Sequence, residues 1–330
     1  MSHVVVYGAG ATGTRIAQQL RASGAVDLVE LRSTRRERSR QLIKTLGRVS
    51  ESGQGPQLDS SVALVVIATN AAGQANLARR AIHHGVAVVT TSNQLSEVRR
   101  LLALHQEAVH SGVPLIVGAT FMPGFTCLLA RHGSKEFDQL DEIHAAKVGT
   151  GGPACARQHH QALSSAGLDW RDGRWCARAP GSGRELAYFP DPIGGRDCYR
   201  AALPDALLLV PAFPNVVRVT ARMAATRRDR LTSPLPMLRP PHAEGGLGAV
   251  RVELRGRVGS QSRVSVFGAV ERPAVAAAMV AASASCAVLR GDFAPGASGL
   301  AGVAEPLRLL RAIADQGVRP MRFEGVSMFY

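Results

Sequence analysis

The chain has 330 residues, of which 46% are hydrophobic and 19% are charged, so it is long enough for two domains with buried cores. This composition excludes a disordered, fibrous or collagen-like protein, and the longest apolar stretch, 274–289, is shorter than the roughly 20 residues of a membrane span. The formal net charge is +14, but the arginines are spread along the chain without a basic tail or interleaved aromatic residues. Such a distribution favours a small anionic metabolite over nucleic acid as the binding partner.

The cysteines and the first residues carry information about the compartment. Five cysteines are scattered along the chain without a Cys-x-x-Cys pair, and Met1-Ser2-His3 leads directly into an apolar strand. An odd, scattered set of cysteines is typical of free thiols and predicts neither a disulfide framework nor a metal site. We therefore expect a cytoplasmic protein that has no membrane span and binds no metal.

The first part of the chain, up to about residue 125, alternates short β-branched runs with helical patterns. The predicted strands are 4–7, 26–31, 62–68, 86–90 and 113–118, and the predicted helices are 12–22, 35–46, 72–84 and 96–110. Continuous apolar strands joined by short connections are typical of a parallel sheet covered on both faces. The pattern predicts an α/β protein with an N-terminal Rossmann-type, doubly wound parallel sheet.

The pattern changes in the middle of the chain. Several strands are predicted between 140 and 270, but 167–200 and 233–246 are rich in glycine and proline and are predicted to be irregular. Within 250–266, apolar residues alternate with charged ones around a Gly259-Ser260 turn, which predicts an antiparallel hairpin with one buried face.

Two helices are predicted near the end of the chain, one from Pro273 to about Gly291 and one over 307–315. We predict that an α+β domain for substrate binding and dimerisation, residues 126–271, is inserted into the first domain. The first domain then consists of residues 1–125, completed by 272–330.

A glycine-rich turn, Gly8-Ala9-Gly10-Ala11-Thr12-Gly13, follows the first strand and opens the first helix. This is the setting that a dinucleotide-binding motif requires. Gly8 permits the tight turn, Gly10 allows the backbone to approach a pyrophosphate, and Gly13 allows the helix to pack closely on the strand. Free amides at Ala11, Thr12 and Gly13 would bind the phosphates, whereas the alternative is a turn used for packing alone.

The end of the second strand, Arg32-Ser33-Thr34-Arg35, indicates the preferred cofactor. NAD-binding proteins place an acidic residue near this position to bind the ribose 2′-hydroxyl. Guanidinium and hydroxyl groups would instead bind a 2′-phosphate, so these four residues predict NADP, with NAD as the alternative. A register shifted by one residue would bring Glu30 to the ribose and favour NAD.

Three further turns lie at the carboxyl ends of predicted parallel strands, where ligands bind in open α/β sheets. We predict cofactor-binding roles in these turns for Ala68, Thr69, Asn70, Ser92, Gly118 and Pro123. Helix capping by Asn70 and Ser92 is the alternative for the first two turns. In the third turn, Phe121 is predicted to contact the substrate beside the nicotinamide ring.

The motifs together resemble those of the saccharopine dehydrogenase-like (saccharopine reductase-type) oxidoreductases. The similar segments are the glycine turn 8–13, Gly118 with 123–130, and Gly291 with 302–306 and 317–318. This resemblance implies NAD(P) binding by the glycine turn, oxidation or reduction of a C–N bond in an amino-acid-derived substrate, and a homodimer formed through the sheet of the second domain. Residues 150–245 are only loosely similar to that family.

The segment 147–160 carries the candidate catalytic groups. A predicted strand ends at Lys147, a glycine-rich turn follows, and a helix begins that carries Arg157, His159 and His160. We predict that His159, His160 and Lys147 are catalytic, because imidazole and amine groups transfer protons near neutral pH. Arg157 and Gly152 are predicted to bind an anionic substrate, while the alternative is that one histidine is exposed and the other only packs or caps. The histidine pair with Lys147 is also similar to that of dihydrodipicolinate reductases, although the Ser-Gly-Thr segment of those enzymes is missing.

These observations predict an NADP-preferring oxidoreductase that transfers hydride to or from a C–N or carbonyl carbon of an amino-acid-derived, anionic metabolite. The alternative is a non-catalytic, dinucleotide-binding regulatory protein, because the sequence contains no acid–base group that is plainly indispensable.

Overall fold

A computed structural model of the protein describes residues 2–33, 49–51, 58, 61–69, 73–237, 242 and 245–323. The strands are β1 His3–Tyr7, β2 Leu28–Arg32, β3 Val49–Glu51, β4 Val62–Ile67, β5 Ala87–Thr90, β6 Pro114–Ile116, β7 Gln139–Val148, β8 Gly167–Arg171, β9 Arg174–Arg178, β10 Glu185–Phe189, β11 Gly194–Arg200, β12 Arg218–Ala224, β13 Gly248–Val258, β14 Gln261–Glu271, β15 Gly296–Ser298 and β16 Met321–Phe323. The α-helices are α1 Ala11–Ala22, α2 Gln74–His83, α3 Leu95–Leu102, α4 His105–His110, α5 Phe125–Gly133, α6 Pro153–Leu163, α7 Asp205–Leu209, α8 Arg227–Thr232, α9 Pro273–Leu289 and α10 Pro306–Asp315. The predicted helix 35–46 lies outside the described residues.

The chain forms two compact units. The first consists of Met1–Gly124 with Ala274–Glu305, and the second of Phe125–Pro273 with Pro306–Tyr330. This division differs from the predicted one in its last segment, because α10 packs against α5 and β16 pairs with β14. Both contacts join residues that are far apart in sequence, so local patterns do not reveal them.

The first unit is built on a parallel sheet with the strand order β15-β6-β5-β4-β1-β2-β3. Its central strands are apolar and buried, and Val4, Val5 and Val6 are fully inaccessible to solvent. The order reverses direction at β1, as it does in a doubly wound sheet, so the predicted Rossmann-type fold is confirmed.

Two helices of the first unit differ from simple expectation. The predicted helix 96–110 is broken into α3 and α4, because Leu104 leaves helical geometry with a ψ of 4°. The break lets both Leu101 and Leu104 be fully buried. Helix α9 consists mostly of small residues and is buried on almost all sides. Within the part of the chain that the structure describes, no helix combines the length and apolarity needed to span a bilayer.

The second unit contains a mixed sheet with the order β10-β11-β12-β7-β13-β14-β16, and β8 and β9 continue from β12. Strand β7 pairs in parallel with β12 and antiparallel with β13. The hairpin predicted around Gly259-Ser260 is confirmed, since β13 and β14 pair up to Val258 and Gln261.

The prediction that 167–200 is irregular is wrong, because this segment forms the two hairpins β8–β9 and β10–β11. The first hairpin turns at Asp172-Gly173, where both residues have positive φ values of 50° and 77°. An Asp-Gly turn of this type is a strong hairpin signal. Trp170 and Trp175 pair across the strands with their ring centroids 4.9 Å apart.

Candidate functional site

The glycine turn between β1 and α1 has the geometry of a phosphate-binding loop. Gly8 has a φ of +116°, and a Cβ there would lie 2.4 Å from the carbonyl oxygen of Ala68. A Cβ at Gly13 would lie 1.9 Å from the carbonyl oxygen of Gly8. These two glycines are therefore required for close packing of the turn, as predicted for their roles in the fold.

Gly10 differs from its neighbours because the space beside it is open. A Cβ at Gly10 would meet no atom within 4 Å, and Gly10 is the N-cap residue immediately before α1. The amides of the first turn, including those of Ala11, Thr12 and Gly13, have no acceptor within the helix. The turn thus combines an open space with amide donors at the positive end of a helix dipole, which fits the pyrophosphate of a dinucleotide.

The end of β2 holds an ion pair that the sequence pattern did not predict. Arg32 donates from Nε to Glu30 Oε1 at 2.7 Å and from Nη1 to the Tyr7 hydroxyl at 2.8 Å. Glu30 is 5% exposed and also contacts His3 Nε2 at 3.3 Å. Both candidate determinants of cofactor preference, Arg32 and Glu30, are therefore bonded to each other at this sheet edge. The predicted contacts of Thr34 and Arg35 lie outside the described residues.

The other predicted cofactor residues of the first unit lie in turns at the carboxyl edge of the parallel sheet. The carbonyl of Thr69, which follows Ala68, accepts a hydrogen bond from Gln74 Nε2 at 2.6 Å. Ser92 is 2% exposed, and within the described chain its buried hydroxyl has no hydrogen-bond partner. A buried hydroxyl without a partner is an uncommon feature that is often associated with a binding site. Asn70 lies outside the described residues.

The turn 118–124 is compact. Gly118 and Gly124 have φ values of 77° and 113°, and the Thr120 hydroxyl donates to the Pro123 carbonyl at 2.6 Å. Phe121 is 4% exposed. The structure of this turn thus depends on its glycines, and the predicted contacts of Gly118, Phe121 and Pro123 with ligands stay predictions.

The second unit contains a buried cluster of titratable side chains around Lys147, at the end of β7. Its Nζ lies within hydrogen-bond distance of His159 Nε2, at 2.8 Å, and Cys155 Sγ lies 3.7 Å from the same ring nitrogen. Cys155 and His159 lie one turn apart on α6, so their side chains share a helix face. Lys147 and His159 are 6% and 7% exposed.

Asp205, the first residue of α7, completes this cluster electrostatically. It is fully buried and accepts a hydrogen bond from the Thr126 hydroxyl at 3.2 Å. Among the described residues, neither Asp205 Oδ2 nor His159 Nδ1 has a hydrogen-bond partner. Leaving two polar atoms buried without partners is costly, which marks this cluster as a candidate site for proton transfer or substrate binding.

Burial shifts the proton affinity of each group in the cluster. It lowers the pKa of the Lys147 ammonium and, with the positive charge of Lys147, holds the pKa of His159 well below its ordinary value. Burial also raises the pKa of Asp205 to about 6, because desolvation outweighs the attraction of Lys147. Each group therefore prefers its neutral form more than it does in water, which is typical of catalytic acid–base groups.

The remaining candidates on α6 are dispersed. His160 Nε2 contacts the carbonyl oxygen of Leu235 at 2.8 Å, outside the Lys147 cluster. Arg157 is exposed and lies about 200° around the helix from Cys155. Gly152 is the N-cap residue of α6, which begins at Pro153. The sequence analysis missed Asp205 and Thr126, because no local motif connects them with Lys147.

We expect Asp205→Asn to change the pH dependence of stability. Well below pH 4 the carboxyl is protonated in both the folded and the unfolded protein. Between pH 4 and 6 it ionises first in the unfolded state, so the free energy of unfolding falls as pH rises through this window. The difference between the ordinary pKa and about 6 corresponds to about 3 kcal/mol.

Urea unfolding of wild type and Asp205→Asn from pH 4.5 to 7.5 measures this contribution. The stability difference between the two proteins should shift in favour of the variant as pH rises and level off above pH 6 to 7. A constant difference over the whole range would show that Asp205 ionises alike in the folded and unfolded states.

Comparisons with known proteins concern the fold. No protein-family model matches the chain, and no curated protein matches its sequence. Among solved structures, the L-Glu-forming saccharopine dehydrogenase of Saccharomyces cerevisiae superposes with a TM-score of 0.71 at 14% identity, over 98% of this chain and 100% of that chain. DAP dehydrogenase of C. glutamicum superposes with a TM-score of 0.51 at 14% identity, over 93% of this chain and 95% of that one.

A probable dehydrogenase from Thermotoga maritima also has a TM-score of 0.51, at 12% identity, over 97% of this chain and 98% of that one. The two units thus define the fold of a two-domain dehydrogenase with a Rossmann-type sheet. In particular, the chain has the fold of saccharopine dehydrogenase, and the resemblance predicted from its motifs is confirmed at the level of the fold.

Proposed function

We propose that the protein is a nicotinamide-dinucleotide-dependent oxidoreductase that acts on a C–N or carbonyl carbon of an amino-acid-derived, anionic metabolite. The observation that carries this proposal is the buried Lys147–His159 pair, in a chain that also contains an open glycine turn suited to a dinucleotide. Two of the proteins that share the fold are named for saccharopine and DAP as substrates, which supports an amino-acid-derived substrate.

The glycine turn 8–13 would hold the pyrophosphate of the cofactor through its first-turn amides, with Gly10 leaving room for the phosphates. Residues of the neighbouring turns, including Ala68, Thr69 and Ser92, would contact the rest of the dinucleotide. When bound, the nicotinamide supplies or accepts the hydride. The protein then has to bind the substrate and move a proton.

Lys147 and His159 are suited to that proton transfer. A charged Lys147 donates to Nε2 of a neutral His159, so the ring proton of His159 lies on Nδ1. The pair shares a proton between two groups whose pKa values are both lowered by burial. Loss or gain of that proton accompanies reduction of an imine or carbonyl and oxidation of an amine or alcohol. His160 and Arg157 lie outside this pair, so Lys147 and His159 are the catalytic residues we propose.

We further propose a preference for NADP, supported by the guanidinium of Arg32 at the end of β2. Its bidentate contact with Glu30 partly neutralises both charges, so the preference depends on whether Arg32 still attracts a 2′-phosphate more than Glu30 attracts a 2′-hydroxyl. Homodimerisation and a cytoplasmic location complete the proposal, and the five free cysteines support a reducing compartment.

The double variant Glu30→Gln with Arg32→Gln tests the cofactor preference without leaving a buried charge unpaired. We expect the affinity for NADPH to fall about ten-fold or more, because a charged hydrogen bond to the 2′-phosphate is lost, and the affinity for NADH to change little. Calorimetric titration measures both affinities. Arg21→Gln, at an exposed position at the end of α1, is the control. Equal losses for the two cofactors would contradict the NADP preference.

The proposed function is tested by binding and turnover together. Calorimetry should detect NADPH or NADH binding, and oxidation of the bound cofactor should then be followed spectrophotometrically with a panel of keto acids, each paired with amino acids or amines. Turnover with any pair supports the oxidoreductase. Binding without turnover over the panel would favour the non-catalytic regulatory alternative, and absence of binding would contradict both.

A further inference from the structure

A polar cavity lies in the second unit, away from the Lys147 cluster. It has a volume of about 210 Å³ and is lined by six guanidinium groups, those of Arg171, Arg178, Arg200, Arg218, Arg222 and Arg255. The lining carboxylates in the described chain are those of Asp169 and Glu185. We call this feature the arginine cavity.

The arginine cavity lies on the face of the sheet opposite to Lys147. Successive side chains of a strand point to opposite faces, so His144 and Lys147 on β7 lie on different sides of the sheet. His144 lines the cavity, whereas Lys147 contacts His159. On β12, Thr220 pairs with His144 and Arg222 pairs with Ala146, and both β12 residues line the same cavity. The arginine cavity is therefore a separate feature from the proposed proton-transfer cluster.

Two of its arginines share one carboxylate. Asp169 is 2% exposed, and its Oδ2 accepts from Arg200 Nε at 2.7 Å and from Arg178 Nε at 3.1 Å. Both arginines use Nε in these bonds, and within the described residues their Nη groups have no hydrogen-bond acceptor. An arginine whose Nη groups have no acceptor can bind an additional oxyanion through them in a bidentate manner.

The carboxylates near the arginine cavity do not balance the positive charge of its guanidinium groups. Arg218 and Arg255 pair with Glu142 and Glu253, and Arg171 pairs with Asp172. Three guanidinium groups, those of Arg178, Arg200 and Arg222, are then left with the carboxylates of Asp169 and Glu185. Burial lowers the pKa of the Arg222 guanidinium, and the nearby positive charge of Arg200 acts in the same direction.

A histidine beside these groups adds no charge to the cavity. His144 contacts Glu142 and Thr220, and burial lowers the pKa of its imidazole, so the ring is neutral near pH 7. The cavity therefore has a net positive charge in a partly enclosed space, where the field of several like charges is weakly screened.

We propose that the arginine cavity binds a small oxyanion with at least two negative charges, of the phosphate or the di- and tricarboxylate class. Such an ion supplies the acceptors that the Nη groups of Arg178 and Arg200 lack and neutralises the excess of guanidinium groups. Pyrophosphate is the probe for the phosphate class, and citrate is the probe for the carboxylate class.

Calorimetric titration at physiological ionic strength tests the proposal. Pyrophosphate would also bind the glycine turn, so the titrations use full-length Gly10→Val, in which a side chain fills the space for phosphate. We expect at least one of the two probes to bind the Gly10→Val variant with one-site stoichiometry. Stronger binding of pyrophosphate assigns the phosphate class, and stronger binding of citrate assigns the carboxylate class. Failure of both probes to bind overturns the proposal and leaves the oxidoreductase proposal unaffected.

Matched substitutions locate the bound ion. Arg178→Gln and Arg218→Gln, each added to Gly10→Val, should weaken binding about ten-fold. Arg184→Gln should change binding less than about two-fold, because Arg184 is exposed, pairs with Asp197 and does not line the cavity. Equal losses in all three proteins would show nonspecific charge attraction and overturn the proposal. Dissociation of a dimer by Arg178→Gln without loss of ion binding would assign the cavity to a protein contact instead.

Discussion

Replacement of Lys147 by methionine is expected to lower kcat about 100-fold or more while dinucleotide affinity stays within about two-fold of wild type. Methionine keeps much of the length and volume of the lysine stem, so the buried site remains filled. Asp205 then loses a nearby cation, so its pKa, already raised by burial, rises further and the carboxyl can take up a proton. The variant therefore removes the proton donor without leaving an uncompensated buried charge.

Steady-state kinetics with a keto acid and amine pair that supports turnover, together with calorimetry of the cofactor, measures this effect. Lys135→Met is the matched control, because Lys135 is exposed. Lys147→Arg should not restore activity, since a guanidinium does not release its proton near neutral pH. Activity of Lys147→Met within about two-fold of wild type would show that Lys147 has no part in proton transfer.

The pH profile separates a chemical role of Lys147 from a structural one. Burial lowers the pKa of Lys147, whereas the negative charges of Cys155 and Asp205 raise it. Replacing Asp205 by asparagine removes its raising effect, so the Lys147 pKa falls further. The limb of the kcat profile that reports deprotonation of Lys147 should therefore move to lower pH in Asp205→Asn. A limb that does not move would assign this ionisation to another group.

Substitutions at Gly10 and Gly13 should separate cofactor binding from folding. Gly10→Val places a side chain in open space, so we expect an unchanged Tm but an affinity for NADPH and NADH weaker by about 100-fold or more, because the phosphates are excluded. Gly13→Ala forces an atom to 1.9 Å from the Gly8 carbonyl oxygen, so it should also destabilise the fold by about 1–3 kcal/mol.

Thermal unfolding and calorimetric titration of the two variants measure these effects. Gly246→Ala is the control, because a Cβ at Gly246 also meets no atom within 4 Å and this residue lies outside the glycine turn. Normal cofactor affinity in Gly10→Val would contradict dinucleotide binding at this turn and, with it, the proposed function.

Much of the first unit could be predicted from sequence because its information is local. The run Val4-Val5-Val6 followed by Gly8 and Gly10 specifies a buried strand and a tight turn within a few residues. The β13–β14 hairpin was likewise predicted from alternation and a Gly259-Ser260 turn. The Asp172-Gly173 turn carried an equally local signal for the β8–β9 hairpin, but the surrounding glycine and proline residues obscured it.

The candidate site was predicted only in part. Lys147 and His159 were identified because both lie in one short segment that ends a strand and begins a helix. Asp205 and Thr126 were missed, since α5, α6, α7 and β7 bring them to Lys147 only through long-range packing. The arginine cavity was missed for the same reason, because its guanidinium groups come from separate strands whose register no local pattern specifies.

The sequence by itself determined which segments become strands, helices and glycine turns, because periodicity and backbone freedom act between residues that are close along the chain. Tertiary structure alone decided which side chains meet. It paired Arg32 with Glu30, placed α10 and β16 in the second unit, and buried Lys147, His159 and Asp205 together. Proton affinity depends on burial and on neighbouring charges, so the chemistry of this cluster arises only when the chain has folded.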